Sequence, residues 1–410
     1  MIRILILLVP FYLYGDSLKS LIEYATGKNE LIVSKELSVK AKASELKSKD
    51  SNFYPTVDLG GFYQRYDEAS PIMPGTTYSA YAKISYDVYS GGKKSYALKQ
   101  KRDEHEASSF ELEATKKSIE LAIVQNFYNI KSLKATLKAM EEAAVSVKAQ
   151  LDRIEKFHRA SLATSDDVDR LQSAYDASIY EIESMKFKII SLEKSLELKV
   201  GKTIDSLDES KFQKIQNQET QELDKVKALR ATKSSIINAS EIIDSYYYPQ
   251  IKIEDTYNVY GYADEPNIPG IEQLDSQNKL MATLNFRVFD FASIGEAKEA
   301  VRLNAEALNE QINYQTKEQK IQLDLAKLRI NTATLNIKSS ASASRASQSA
   351  LKTITQKYNS GIVDNVVYLD ALSASTQAKA RYETSLNNLE IAYALYYFYN
   401  GKKLGEYLNE

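Results

Sequence analysis

The sequence predicts an internally duplicated α+β membrane protein in which alternating strands run directly into helices far longer than a globular domain requires. Three observations carry this reading. "YDVYSGGKKSYALKQ" (86–100) passes from strand to helix across Gly91-Gly92, and "LNFRVFDFASIGEAKEA" (284–300) does the same in the second half. The two halves repeat in register, and their strands alternate with tyrosines gathered at the ends.

Composition excludes several classes. The 410 residues carry a net charge of −2, with 43% hydrophobic and 26% charged residues. No basic block marks a nucleic-acid surface, so no nucleic-acid partner is expected. The absence of cysteine rules out disulfides and thiolate metal sites. The two histidines, His105 and His158, lie far apart on one predicted helix, so neither a metal nor a cofactor is expected. With only 7 prolines and 14 glycines, long uninterrupted elements follow, and the 29 tyrosines want a reason.

In chain order, residues 1–15 read as a signal peptide: Arg3, then an apolar run from Ile4 to Leu13, then Gly15. No later run of about 18 apolar residues predicts a transmembrane helix. Duplication governs the rest. "YPTVDLGGFYQRY" from Tyr54 matches "YPQIKIEDTYNVY" from Tyr248, 194 residues on. Val88-Tyr89 matches Val288-Phe289, 200 residues on, and "HRASLATSDDV" from His158 matches "YNSGIVDNVVY" from Tyr358 at the same offset. The difference falls in the strand–strand loops, which are rich in turn residues and contain Pro74-Gly75 and Pro269-Gly270. The expected divisions are a first repeat at 16–205, a connecting segment at 206–225, a second repeat at 226–400 and a tail at 401–410. The segment Thr203 to Lys225 and the tail are expected to form a collar around the helices.

The strands alternate strictly. Ile84, Tyr86 and Val88 share one face of the second strand with Tyr78, Ala80 and Ala82; Leu284, Phe286 and Val288 share one face of the fourth with Leu280 and Ala282. A sheet with one solvated face alternates in the same way. The strand lengths suit a tilted crossing of a bilayer, however, and tyrosines at both ends suit an aromatic girdle. These apolar residues are therefore read as a lipid face. Open edges are not tolerated in lipid, so four strands cannot suffice. Two copies would give eight strands and a filled interior; three give twelve and room for a pore. Three copies are expected.

The long helices are predicted from Lys93 to His158 and from Ser293 to Tyr358, each on the order of 100 Å. Leu133, Leu137, Met140, Ala144, Val147, Leu151 and Ile154 form a heptad stripe on the first, and Ile321, Leu325 and Leu328 begin one on the second. "SSASASRASQSA" (339–350) reads as a helix face of small residues at a close helix–helix approach, the alternative being a Ser-rich linker.

These features resemble the TolC-like outer-membrane efflux protein family over essentially the whole mature chain. The resemblance rests on the duplicated strand-pair-plus-long-helix plan, the "YP" strand starts, the junction at Val88 to Gly92, and the helix-turn-helix tip "YNSGIVDNVVYLDA". It implies a homotrimer with a twelve-stranded transmembrane β-barrel continuous with a coiled-coil α-helical barrel that crosses the periplasm of a Gram-negative bacterium. It implies a passive exit duct for efflux or type I secretion, working with a periplasmic adaptor and an inner-membrane transporter. Gly91 and Gly92 permit the change of backbone geometry where lipid gives way to periplasm; Phe291-Ala292 stands there in the second repeat.

The tips are the candidate functional sites. Asp166, Asp167, Asp364 and Asp370 would form rings of carboxylate at a constricted entrance by threefold symmetry, selecting cations. The resemblance makes Asp167 and Tyr358 members of a closing network, while Val363 and Val367 depart from it. Thr164 with Asp167 also reads simply as a capping box. Ala160, Ser161 and Leu162, with Ser360, Gly361 and Ile362, match the tip segments offered to adaptors. A soluble coiled-coil structural protein of the cell envelope is the alternative; it explains the heptads but not the four matched strands. No nucleophile–base pair, phosphate loop or metal cluster points to an enzyme.

Overall fold

The computed structural model describes residues 17–68, 70, 74–204, 206–214, 219–263 and 272–409. The expected signal peptide, residues 1–15, and Pro269-Gly270 lie outside the described residues. Two compact units are present: Met1–Glu36 with Leu112–Asp224 and Gln315–Glu410, and Leu37–Glu111 with Lys225–Tyr314.

The second unit holds the main sheet. Strands β1 (Thr56–Arg65) and β2 (Thr76–Ser90) form one antiparallel pair. In chain order α3 (Lys93–Arg159), α4 (Ser165–Val200), a two-residue strand β3 (Lys211–Phe212) and α5 (Asp224–Asp244) come next. Strands β4 (Gln250–Ala263) and β5 (Ser276–Asn285) complete a sheet of order β1-β2-β4-β5, leaving β1 and β5 as edges. The register aligns Val57, Ile84, Asp255 and Leu280 across all four strands, and Leu59, Ala82, Tyr257 and Asn278 two residues along. Between these rows lie Asp58, Lys83, Thr256 and Lys279. Because side chains alternate, one face is mainly apolar, interrupted by Asp255 and Asn278, and the other mainly polar; a slip of one residue would exchange them. Leu59 and Leu280 are 81% and 73% exposed in the single chain.

Three of the expected face assignments, Val88, Phe286 and Val288, need correction. The β2–β4 register shifts between Asp87 and Tyr89, so Val88 is the additional residue of a bulge and Tyr89 takes the place opposite Ile251. Strand β5 ends at Asn285, so Phe286 and Val288 lie beyond it rather than on it. The last pair is Gln250 with Asn285; the next residue on β4's side is Pro249, which has no N–H to extend the ladder. Ile84, Tyr86 and Leu284 lie within the ladder, opposite Asp255, Ile253 and Ile251.

Helix α2 (Glu30–Ser51) leads into β1, and within this unit it is tied to α3 by an ion-pair cluster. Lys42 reaches Glu104 at 3.1 Å and Lys101 reaches Glu45 at 2.9 Å.

The first unit contains α1 (Leu18–Lys28), α4, α7 (Asn365–Tyr399), and the later parts of α3 and of α6 (Ser293–Asn359). Both α3 and α6 have 67 residues. The predicted stripe on α3 turns inward: Val147 and Leu151 are buried with Leu171 of α4 and Tyr368 and Leu372 of α7. A second, larger core gathers Leu18, Leu21, Phe127, Tyr128, Leu196, Leu323 and Tyr397.

On α6 the expected stripe faces away from the chain's own core. Ile321, Leu325 and Leu328 are 58%, 49% and 61% exposed, whereas Gln319, Leu323, Ala326, Ile330, Ala333, Ser340 and Ser344 are buried. Helical residues two apart point about 200° from each other, so the helix carries two apolar seams, and its own chain covers the other one. The serine-rich stretch is helical, and Ser340 Oγ lies 2.9 Å from Ser385 Oγ of α7. The linker alternative therefore falls.

The connecting segment and the tail meet in the same unit. Strand β3 pairs with β6 (Leu408–Asn409). The Tyr128 hydroxyl donates to the Ser210 carbonyl at 2.8 Å, and Phe212 N donates to Glu390 at 2.7 Å. Leu404 N donates to Glu120 at 2.9 Å, and Lys117 pairs with Asp224 while donating to the Gly401 carbonyl. Burial raises the Glu120 and Glu390 carboxyls above the ordinary range, against the opposing effect of these backbone donors.

Candidate functional site

Two helix-turn-helix tips carry most of the predicted site residues. Helix α3 turns into α4 through Ala160–Thr164, and α6 into α7 through Ser360–Asp364. Both turns use a left-handed residue at the same repeat position, Ser161 with φ 55° and Gly361 with φ 70°. Both also close with one backbone bond, Leu162 N to the Phe157 carbonyl at 2.8 Å and Ile362 N to the Lys357 carbonyl at 2.9 Å. The residues that follow the left-handed position are left in solvent: Leu162 is 75% and Ile362 70% exposed.

The polar residues then divide. Thr164 and Asp167 form the capping box of α4, each side chain accepting from the other residue's backbone N–H. Asp167 also accepts from Asn365 Nδ2 of the other tip at 3.4 Å. Asp364 caps α7 by accepting from Val367 N at 3.0 Å. Tyr358 stacks on the buried Tyr368, ring centroids 5.0 Å apart and planes within 16°. Burial pushes both phenols above their ordinary value; for Tyr358, Arg153 opposes the effect and Asp167 and Asp364 add to it. Asp167, Tyr358 and Asp364 thus share one electrostatic neighbourhood.

Asp166 does not join them: it is exposed and pairs with Arg170 along its own helix at 2.9 Å. Asp370 lies further along α7, beside a groove of about 560 Å³ between α3, α4 and α7 that Met140, Val147, Ala177 and Leu372 also line.

Sequence reasoning missed Arg153. This residue of α3 donates to the Asn359 side chain at 2.5 Å and to its carbonyl at 3.2 Å, while its guanidinium lies 5.8 Å from the Tyr358 ring centroid. It holds the end of α6 to α3. The only signal was its place one turn before Phe157, which the duplication does not repeat, since Thr353 stands at the matching position.

The strand–helix junctions keep one geometry with different residues. Gly91 and Gly92 have φ of 63° and 84°; Phe291 and Ala292 have 54° and 66°. A Cβ on Gly91 would lie 2.5 Å from the Ser245 carbonyl oxygen, so glycine is required there by space as well as by conformation. Phe291 is 88% exposed. Among the described residues no group of three or more His, Cys, Asp or Glu side chains is placed to hold a metal ion, and no helix is long and apolar enough to cross a membrane.

Comparison with known proteins follows the same outline. Residues 21–184 match the family model of outer membrane efflux proteins. No curated protein matches the sequence. Among solved structures, the outer membrane channel CmeC of Campylobacter jejuni matches with a TM-score of 0.83 at 13% identity, over 94% of this chain and 85% of that one. A membrane protein from Pseudomonas aeruginosa matches at 0.82 and 14%, over 94% and 93%. The outer membrane protein VceC of Vibrio cholerae matches at 0.78 and 13%, over 94% and 96%. The sequence pattern of the outer membrane efflux protein family is present in residues 21–184, and the chain as a whole has the fold of the TolC-like channels.

Proposed function

We propose that this chain is one of three copies forming an outer-membrane channel-tunnel of a Gram-negative bacterium, a passive duct for efflux or secretion. The observation that carries the proposal is the sheet: four strands in register, one face apolar and exposed, with both edges open. Lipid covers such a face, and further copies must close such edges. Twelve strands from three copies leave a lumen lined by the polar face, with Lys83, Glu254 and Lys279 among its side chains. The outer seam of α6 supports assembly independently. Tyr314, Ile321, Leu328 and Leu335 recur every seven residues and are 58–69% exposed, the pattern of a coiled-coil seam awaiting a neighbour.

In this reading the tips face the periplasm. Leu162 and Ile362, held out by matching turns, form the apolar contacts for a periplasmic adaptor that couples the duct to an inner-membrane pump. Asp167, Asp364 and Asp370, repeated by symmetry, make the entrance acidic. Arg153 fastens α6 to α3 and keeps the resting tip narrow.

The test is single-channel conductance of the detergent-purified protein in planar bilayers. Wild type should conduct with cation selectivity, Asp370→Ala and Asp167→Ala should lower that selectivity, and Arg153→Ala should raise conductance. Protein that stays in the aqueous phase without detergent would return the soluble coiled-coil reading to the front.

A further inference from the structure

The geometry points to a binding site for a phosphate-class anion in the cavity between the end of α2, the start of α3 and the adjoining ends of β2 and β4. The cavity measures about 290 Å³, and its lining includes Lys49, Lys93, Lys94 and Lys252, with Asp87 the only carboxylate. Asp87 pairs with Lys94 at 3.1 Å, and Lys252 is held by Glu254 at 2.9 Å. Lys93 donates to the Tyr246 hydroxyl at 3.1 Å, a neutral partner that leaves its charge uncompensated. Four half-buried lysines therefore line one partly open cavity, and Asp87 and Glu254 are the carboxylates paired with them.

The internal repeat shows what this place in the fold calls for. In the second repeat Asp290 accepts from Ile294 N at 3.0 Å, and Glu296 stands in the first turn of α6, so two carboxylates serve that helix start. The matching residue in the first repeat is Ser90, whose hydroxyl accepts from Lys94 N at a longer 3.4 Å. The first turn of α3 contains no acidic residue and opens instead on Lys93 and Lys94. Cations at the positive end of a helix are unfavourable, and an anion there offsets both the dipole and the lysines. Where the second repeat carries its own carboxylate, the first has a hydroxyl, a cavity and an excess of ammonium groups. A tetrahedral oxyanion with several acceptor oxygens suits divergent lysine donors better than a single carboxylate would.

Free phosphate and the headgroup of an anionic phospholipid share this chemistry. Only the lipid source depends on the outer-membrane reading; the anion site stands without it. The experiment is calorimetric titration of the full-length, delipidated protein in neutral detergent at low salt. Its three probes are inorganic phosphate, dihexanoyl phosphatidylglycerol and uncharged dihexanoylglycerol. Saturable binding of an anionic probe is expected, weakened roughly tenfold or more by Lys49→Ala and by Lys93→Ala, the loss of one charge-assisted hydrogen bond. Ser90→Asp, which copies the second repeat, should weaken binding at least as much while leaving the melting temperature unchanged or higher. Binding of phosphatidylglycerol alone assigns the site to a membrane headgroup; competition by inorganic phosphate assigns it to the anion itself. The proposal is overturned if neither anionic probe binds wild type, if dihexanoylglycerol binds equally well, or if folded Ser90→Asp retains full affinity.

Discussion

The two strand–helix junctions make the same left-handed turn, one with Gly91-Gly92 and the other with Phe291-Ala292. All four residues have left-handed φ, 63° and 84° against 54° and 66°, so glycine is not what creates the turn. What differs is the surroundings. Gly91 is buried against the Ser245 carbonyl and Tyr248, while Phe291 projects into solvent in the single chain. The two junctions keep one backbone form, and the side chains of each suit what lies beside it. At the first junction that neighbour is the segment 245–248 that leads into β4; the second junction follows the open edge strand β5.

The largest effect that would break this comparison is expected at Gly91. Gly91→Ala combines a left-handed alanine with a Cβ 2.5 Å from backbone that cannot swing aside. A loss of about 3 kcal/mol follows from strain and overpacking together. Thermal unfolding followed by circular dichroism in detergent would register it, and a change below about 1 kcal/mol would mean the junction is looser than its geometry implies.

The tips differ in a second, smaller way. Asp167 accepts from Thr164 N, Thr164 Oγ1 and Asn365 Nδ2, whereas Asp364 serves as a single cap on Val367 N. Asp167→Ala should therefore cost about 2 kcal/mol of local stability and Asp364→Ala about 1 kcal/mol. Hydrogen exchange at residues 160–168 and 360–368 separates the two: exchange accelerated at both tips by Asp167→Ala confirms the bridge through Asn365, and acceleration at the first tip alone removes it.

Much of this was legible in the sequence because it rests on periodicity. The alternation of Val57, Leu59, Ile84 and Leu284 fixed the faces of the sheet, and a constant 200-residue offset fixed two helices of equal length. Periodicity failed where two answers share one period. On α6 the seams through Ile321 and Leu323 both repeat every seven residues, and only tertiary contact decides which of them the chain itself covers. The end of β5 was illegible because it depends on Pro249 of the neighbouring strand. Arg153 was missed because one cation meeting an asparagine 206 residues away leaves no local pattern. At the tips, Asp167 and Asp364 were legible as helix caps because Thr164 with Asp167, and Asp364 before the apolar start of α7, follow local capping patterns.

A third contrast concerns pH. Glu120 of α3 accepts from Leu404 N of the tail, while Gln319 of α6 accepts from Leu223 N and donates to the Gln221 and Tyr399 carbonyls. One helix holds its neighbour with a carboxyl, the other with an amide that does not titrate. Burial raises the Glu120 pKa, so the folded chain binds that proton more readily than the unfolded one. Its contribution to stability is full below the unfolded value and lost as pH rises through the folded value. Exchange of the Leu404 amide, corrected for the intrinsic pH effect, should slow on acidification toward the ordinary carboxylate range. In Glu120→Gln that dependence should flatten; an unchanged profile would place the titrating group elsewhere, with Glu390 the next to test.

The smallest effect sharpens the opening comparison most. If the fold imposes the left-handed turn on both repeats, then Ala292 is strained at φ 66° and glycine should relieve it. Left-handed conformation costs an L-residue roughly 1–2 kcal/mol, and the added chain entropy of glycine in the unfolded state takes back about 0.5–1 kcal/mol. Ala292→Gly should therefore stabilise by under about 1 kcal/mol, opposite in sign to Gly91→Ala. The Cβ clash at Gly91 has no part in the second case, so the two variants separate conformation from packing at adjacent positions of the same kind of turn. Were Ala292→Gly to destabilise by as much as Gly91→Ala, Ala292 would be making contacts that the single chain does not contain. Those contacts would then belong to a neighbouring copy at the open edge, and repeating the measurement on dissociated protein would restore the expected sign.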